Sequence, residues 1–306
     1  MFELTFLGTS ASVPLPKRGL SSAVVAHDEY RFMVDCGEGT QRQLLSSGLG
    51  FRRINHILIT HPHLDHFLGI GGIVSTLAQI EIIEDVRIYG GKTTLDKIHE
   101  LIHKVVFRGA RLPMQIDLIE LKPGIIFSDE DFDVVAFPVR HRGPDCFGFV
   151  FQEHSRRPFL NEKASALGVP IGPERKMLVQ GKSIALADGR IIAPEDVLGD
   201  TQRGVKLVMT GDIGETASIV KMCHEADAIV TEATYCEVDG DLARTNGHIS
   251  ARSAALLACE AGARQLILNH ISGRHTEKEL LAEACSVFEN TTVARDFDEF
   301  KIARST

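Results

Sequence analysis

Residues 61 to 66 read His61-Pro62-His63-Leu64-Asp65-His66, three histidines and an aspartate in six positions, directly after the apolar run "ILIT" (57–60). Imidazole and carboxylate are ligands that zinc prefers, commonly about four per ion. His61 and His63 lie two apart, which puts both rings on one side of an extended loop. Asp65 and His66 follow as a second pair once the chain turns. One ion cannot easily use all four donors from so tight a turn, so the pattern points to two neighbouring ions. Other strand ends must then supply the missing ligands. "FPVRHRG" places His141 just beyond a strand, "LVMTGD" ends an apolar strand at Asp212, and "LILNH" ends another at His270. Asp212 is a carboxylate able to bridge two cations. The sets that result are His61, His63, His141 and Asp212 for one ion, and Asp65, His66, Asp212 and His270 for the other.

The elements that must position these residues are short apolar runs bounded by turn residues, as buried strands are. They lie at 2–8, 22–27, 31–37, 56–60, 86–90, 133–139, 147–151, 205–212, 228–233, 265–270 and 292–297. Helical periodicity covers 92–107, where Leu95, Ile98, Leu101, Ile102 and Val105 share a face, and returns at 214–226, 250–262 and 276–288. Strand clusters alternating with helices in both halves predict an α/β domain, with helices outside two sheets. Residues 154–204 interrupt this rhythm with four of the chain's eleven prolines. They read as an inserted arm in a single domain spanning 1–306.

Bulk composition restricts the function classes. The 306 residues are 44% hydrophobic and 24% charged, with a net charge of −8, which argues against a blanket affinity for nucleic acid. The charge is uneven, however: residues 154–206 carry nine Lys/Arg against six Asp/Glu, compatible with a local grip on RNA. No apolar stretch reaches the roughly 18 residues of a membrane span, and "MFELTFLGTS" does not read as a secretory leader. Six cysteines without a C-x-x-C pair read as reduced thiols. The expected compartment is the cytoplasm, with no membrane partner.

One motif competes. "HELIH" (99–103) matches the H-E-x-x-H pattern of zinc proteases, and His99 and His103 would share a helix face. The surrounding Leu95, Ile98, Ile102 and Val105 carry buried-face spacing, so the segment reads as a packing helix. His27, His56, His154, His224 and His275 have no spacing partner and read as core or surface histidines. Cys146 lies near His141, but the nitrogen–oxygen ligand set is complete without it.

Beyond the H-x-H-x-D-H string, "FLGTSASVP" (6–14), "VDCGEGTQRQL" (34–44), "TEATY" (231–235), "NGHIS" (246–250) and "LNHISGR" (268–274) accompany it. With these motifs the chain resembles the ribonuclease Z family, the tRNA 3′-processing endonucleases of the metallo-β-lactamase superfamily, over nearly its whole length. The resemblance implies an αβ/βα sandwich of two mixed sheets flanked by helices, with an RNA-binding arm whose Gly-Pro pair looks like Gly172-Pro173. It implies two Zn²⁺ ions on the seven residues named above, Asp65 as proton acceptor, and Glu232 with His248 protonating the leaving group. Asp35 looks like the buried aspartate that supports the site. The implied reaction removes the 3′ trailer from precursor tRNA and leaves a 3′-hydroxyl. The alternative is a small-molecule phosphodiesterase, or another binuclear-zinc hydrolase of the same fold.

The resemblance implies RNA contacts at Arg156, Arg157, Arg175, Lys176 and Lys182 of the arm and at Arg274, and it implies a homodimer. Three positions depart from that pattern. Thr231 stands where the family often has His. Ser272-Gly273-Arg274-His275 replaces the usual S-S-R-Y. "PLPKRG" (14–19) meets the P-x-K-x-R-N loop only in part.

Overall fold

The computed structural model describes residues 1–80, 85–110, 112 and 114–304. It resolves into two compact units, residues 1–152 with 205–306, and residues 153–204. The described strands are β1 (Phe2–Gly8), β2 (Ser22–His27), β3 (Tyr30–Val34), β4 (His56–Leu58), β5 (Asp85–Gly90), β6 (Gln115–Glu120), β7 (Gly124–Ser128) and β8 (Phe132–Pro138). They continue with β9 (Phe147–Glu153), β10 (Ile184–Ala185), β11 (Ile191–Ile192), β12 (Lys206–Met209), β13 (Ala228–Glu232), β14 (Leu266–Asn269), β15 (Thr291–Val293) and β16 (Glu299–Ile302).

In the larger unit two seven-stranded sheets form, in the orders β16-β1-β2-β3-β4-β5-β6 and β15-β14-β13-β12-β9-β8-β7. Both are mixed. β3 to β6 run parallel, whereas β16, β1, β2 and β3 alternate. β12 to β15 run parallel, with β9 antiparallel to β12.

Side-chain alternation assigns the layers. Phe32, Leu58, Leu207, Met209, Val230 and Ile267 point into one core shared by the two sheets. Their chain neighbours Met33, Ile57, Val208, Ile229, Leu266 and Leu268 point outward, against helices. The helices Thr40–Ser46, Ile70–Ile80 and Lys92–Glu100 cover the first sheet; Ala251–Ala261 and Glu277–Cys285 cover the second. The fold is therefore the expected α/β sandwich. The smaller unit has a core of its own, built on Ala164, Val169, Leu178, Ile184, Ile192 and Val197. Among the described residues no helix is long and apolar enough to cross a membrane.

Several element expectations need correction. The runs at 31–37, 56–60 and 205–212 stop being strand at Val34, Leu58 and Met209, and their remainders become the loops of the site. Of the helix expected at 214–226 only Val220–Cys223 forms. The amides before it are spent elsewhere, Ile213 on the Glu232 carboxylate and Gly214 on the Arg140 carbonyl. The helix from Lys92 widens to a π-type turn at Leu101–Val106, where the Phe107 amide reaches back to the Ile102 carbonyl. The wider turn rotates Val105 off the apolar stripe, leaving it 63% exposed rather than buried.

His56 is a core histidine, packed against Phe32, Tyr89 and Phe127. Burial, then repulsion from Arg87, lowers its pKa to about 4. Its folded pKa is depressed, so the unfolded chain binds the extra proton first. Stability is lost as pH falls from about 6.5 towards 4, by up to about 3 kcal/mol. In urea titrations at several pH values, His56→Gln should cost stability at pH 7 and lose much of that deficit by pH 4.5. A pH-independent difference would contradict the assignment.

Candidate metal centre

The parallel strands bring the chemistry to one edge. Asp35 follows β3, His61 to His66 follow β4, and His141 follows β8; Asp212 follows β12, Glu232 ends β13 and His270 follows β14. The loops after β3 and β4 touch backbone to backbone. The Cys36 amide donates to the His66 carbonyl at 2.7 Å, and the Gly69 amide to the Cys36 carbonyl at 2.9 Å. A Cβ on Gly37 would sit 2.4 Å from the Asp65 carbonyl oxygen, and one on Gly69 2.0 Å from that of Gly37. Only glycine permits this approach. Asp35 and His270 adopt left-handed backbone, φ 59° and 54°, a conformation uncommon for non-glycine residues.

Asp212 is the hub. Its Oδ2 lies 3.7 Å from His61 Nε2, 3.4 Å from His66 Nε2, 3.9 Å from His141 Nε2 and 3.3 Å from His270 Nε2. His63 Nδ1 faces His61 Nε2 at 2.9 Å and His141 Nε2 at 3.3 Å. Asp65 Oδ2 lies 3.5 Å from His66 Nε2 and 3.4 Å from His270 Nε2. Ligating atoms of His61, His63, His141 and Asp212 fall within 4.8 Å of one another, as do those of Asp65, His66 and His270. The structure brings the first set together whole; of the second, Asp65, His66 and His270 group together, while Asp212 groups with His270 and His248.

Hydrogen bonds fix which ring nitrogen faces the cluster. The His66 Nδ1–H donates to Asp35 Oδ2 at 2.8 Å, and the His141 Nδ1–H to the Gly247 carbonyl at 2.7 Å. Thr60 spends its hydroxyl proton on Asp35 (3.0 Å), so its oxygen accepts from the His61 Nδ1–H at 2.9 Å. Thr234 likewise donates to Glu232 Oε2 at 2.6 Å and accepts from the His270 Nδ1–H at 2.9 Å. In all four rings Nδ1 is thus engaged by an outer partner and Nε2 faces the cluster, the orientation a metal ligand requires.

Charge agrees. Burial, reinforced by facing imidazoles, holds His61 and His63 below the usual histidine range, and burial does the same to His141. Burial opposes ionisation of Asp65, but hydrogen bonds from His270 and His66 hold its pKa well below the usual carboxylate range. Burial likewise opposes ionisation of Asp212, and the surrounding His270, His66 and His61 overcome it. Burial opposes protonation of His66, but the Asp212 and Asp35 carboxylates outweigh it and hold His66 above the usual histidine range. Imidazole nitrogens and carboxylate oxygens together make a hard-to-intermediate donor set. Burial, then nearby Asp212 and Asp145, pushes Cys146 up to about 11, so it stays a thiol.

Beside the hub, the His248 Nδ1–H donates to the buried Glu232 carboxylate at 2.9 and 3.0 Å. Glu232 also accepts from the Ile213 amide (2.8 Å) and from Thr234. Burial disfavours the imidazolium, but the Glu232 charge and hydrogen bond outweigh it and raise His248 to about 9. The Gly247 carbonyl that orients His141 immediately precedes His248, so one turn positions both imidazoles.

Several contributors carried no signal in the spacing. Thr60, Thr234 and the Gly247 carbonyl set the tautomers. The Ser12 amide donates to Asp65 Oδ2 at 2.9 Å. Its loop is anchored by buried Arg18, which donates to Thr9 and the Ala294 carbonyl, both at 2.6 Å. Thr60 and Thr234 were visible only as the hydroxyl residues bordering the H-x-H and T-E-A-T motifs.

The "HELIH" segment stays outside. The His99 and His103 rings lie 4.4 Å apart, tilted by 41°, but Glu100 is held by Lys104 at 2.6 Å. Among the described residues this trio forms no metal-binding group.

The expected RNA-contacting cations divide. Arg157 donates to the Gly199 carbonyl (2.8 Å) and Arg175 to the Pro170 carbonyl and Asn161, so both brace their own unit. Arg156, Lys176 and Lys182 are exposed, as is the pair Gly172-Pro173. Arg274 is 53% exposed and lies 3.8 Å from Asp239.

A family model described as Anti-Pycsar protein Apyc1 matches residues 2–159, which include His61 to His66 and His141 but not Asp212, Glu232, His248 or His270. Full-length relatives decide the family. Ribonuclease Z of Bradyrhizobium diazoefficiens is 45% identical over 302 residues, covering 99% of this chain and all of that protein. The chain belongs to the ribonuclease Z family. Ribonuclease Z of Archaeoglobus fulgidus is 38% identical over 306 residues, covering 99% of this chain and 98% of its own. The crystal structure of human tRNase Z, short form, superposes with a TM-score of 0.70 at 27% identity, over 99% of this chain and 100% of that one. The metallo-beta-lactamase fold protein YhfI of Bacillus subtilis, at 18% identity and a TM-score of 0.70 over 98% of each chain, shares the fold. The ribonuclease Z fold and the donor cluster together support a metal cofactor.

Proposed function

We propose that the chain is the endoribonuclease that removes the 3′ trailer from precursor tRNA, working with two Zn²⁺ ions. The observation that carries this is the clustering of five imidazoles with the Asp65 and Asp212 carboxylates, beside a buried Glu232–His248 pair, in a chain matching ribonuclease Z end to end. His61, His63, His141 and Asp212 hold one ion; Asp65, His66, His270 and Asp212 hold the other. The donor set fits zinc, with nitrogen and oxygen donors and no thiolate. When bound, the ions supply Lewis acidity that makes water nucleophilic near neutral pH and offsets charge on the phosphate oxygens.

The remaining work belongs to side chains. Asp65, fixed by the Ser12 amide, accepts the proton of the attacking water. His248, held protonated and oriented by Glu232, donates through Nε2 to the departing 3′-oxygen. The products are a tRNA with a 3′-hydroxyl and a trailer with a 5′-phosphate.

The unit at 153–204 serves as the RNA-gripping arm. Arg156, Lys176 and Lys182 meet phosphates, and Gly172-Pro173 presents the helix Pro173–Val179, while Arg274 meets the RNA near the scissile bond. The working species is a homodimer in which the arm of one subunit serves the site of the other. Six free thiols fit the reducing cytoplasm.

The experiment is excision of the arm. Arg156 and Gln202 exchange backbone hydrogen bonds of 2.9 and 2.8 Å, so a short turn can replace residues 157–201. Precursor-tRNA cleavage should fall by ~100-fold or more as phosphate contacts are lost, with hydrolysis of bis(p-nitrophenyl) phosphate retained. Undiminished tRNA cleavage contradicts the arm assignment.

A further inference from the structure

Beside the ligand cluster lies a cavity with about 30 Å³ of room, bordered by Ser21, Thr231, Asn269 and the acidic residues Asp35, Asp212 and Glu232. Two of its polar atoms, Ser21 Oγ and Asn269 Oδ1, are fully buried and make no hydrogen bond. Ser21 as a whole is 3% exposed. Buried polar atoms are almost always paired, by protein or by ordered water. Cavities that stay dry are apolar, whereas a polar one with two to four partners and room for one molecule holds water. This cavity meets both conditions.

We propose that it is a built site for a single ordered water, and that this water positions the catalytic floor. It accepts from the Ser21 hydroxyl and donates to Asn269 Oδ1, leaving its second proton for the carboxylates that border the cavity. Ser21 precedes β2 of the first sheet and Asn269 ends β14 of the second. Asp35, which orients His61 through Thr60 and His66 directly, belongs to the first sheet. Asp212 and Glu232 belong to the second. The water therefore ties the two sheets at the level where their contributions to the site must keep a fixed separation. Ser21 and Asn269 act through it as positioning residues. The kinetic consequence rests on the nuclease reading; the water itself does not.

The test starts with a crystal structure of the full zinc-loaded chain, at a resolution that shows ordered water. Density is expected within hydrogen-bonding distance of both Ser21 Oγ and Asn269 Oδ1. Ser21→Val, whose methyl groups enter the cavity, should expel it. Ser21→Ala and Ser21→Val should each lower kcat on precursor tRNA by ~10-fold, the scale of losing an outer hydrogen-bonding partner of a metal site. KM should be unchanged, and zinc should be released more readily to a competing chromophoric chelator. A dry cavity, a cation at coordination distance in place of water, or wild-type kcat and zinc retention in both variants overturns the proposal. If wild-type protein fails to cut tRNA, the function is wrong, while the density still decides the water site.

Discussion

Asp212→Ala is expected to empty both halves of the centre at once. Its Oδ2 lies within 3.3 to 3.9 Å of the Nε2 atoms of His61 and His141 in one group and of His66 and His270 in the other. After loading and dialysis, zinc per chain should drop towards zero. His63→Ala should lose chiefly one equivalent, because His63 borders only the group with His61 and His141. Removing an outer partner of a metal site already costs 10- to 100-fold, so loss of the shared ligand should exceed ~100-fold in kcat. Asp212→Asn, close in shape, checks that loss does not come from misfolding. His99→Ala should change neither metal content nor rate. Asp212→Ala protein that retains two ions would contradict the shared-ligand arrangement.

His248→Ala should separate bond cleavage from leaving-group protonation. A tRNA 3′-oxygen leaves poorly without a proton, whereas p-nitrophenolate leaves readily. General-acid assistance is worth typically 10²–10⁴-fold, so precursor-tRNA cleavage should fall by about that factor. Hydrolysis of bis(p-nitrophenyl) phosphate should stay within a few-fold of wild type. Glu232→Gln should follow the same pattern less severely, since its amide can still receive the His248 Nδ1–H. Equal losses on both substrates would instead make His248 a structural support of its neighbour His141, through the Gly247 turn.

The candidate ligands were legible because their chemistry is local: histidine and aspartate cluster at the carboxyl ends of apolar strands, which the structure brings to one edge. The strand runs in the core were legible too, since burial imposes the period-two alternation seen at Val208 and Met209. The tautomer-setting network was not. Thr60 and Thr234 act through one hydroxyl each, and the Gly247 and Ser12 backbones act through groups every residue possesses. Edge strands such as β7 and β16 carry too few buried positions to announce themselves. The π-type turn at Leu101–Val106 misplaced Val105 because a heptad-like pattern assumes a constant pitch. In the arm, a surplus of cations was visible, but not that Arg157 and Arg175 would be consumed by carbonyls of their own unit.

The central claim is tested most directly by mapping both ends produced from a 3′-extended precursor tRNA incubated with the zinc-loaded chain. Two fragments are predicted, a tRNA ending in a 3′-hydroxyl and a trailer beginning with a 5′-phosphate, neither formed when a chelator is present. Intact RNA, or a tRNA ending in a 3′-phosphate or cyclic phosphate, would contradict it.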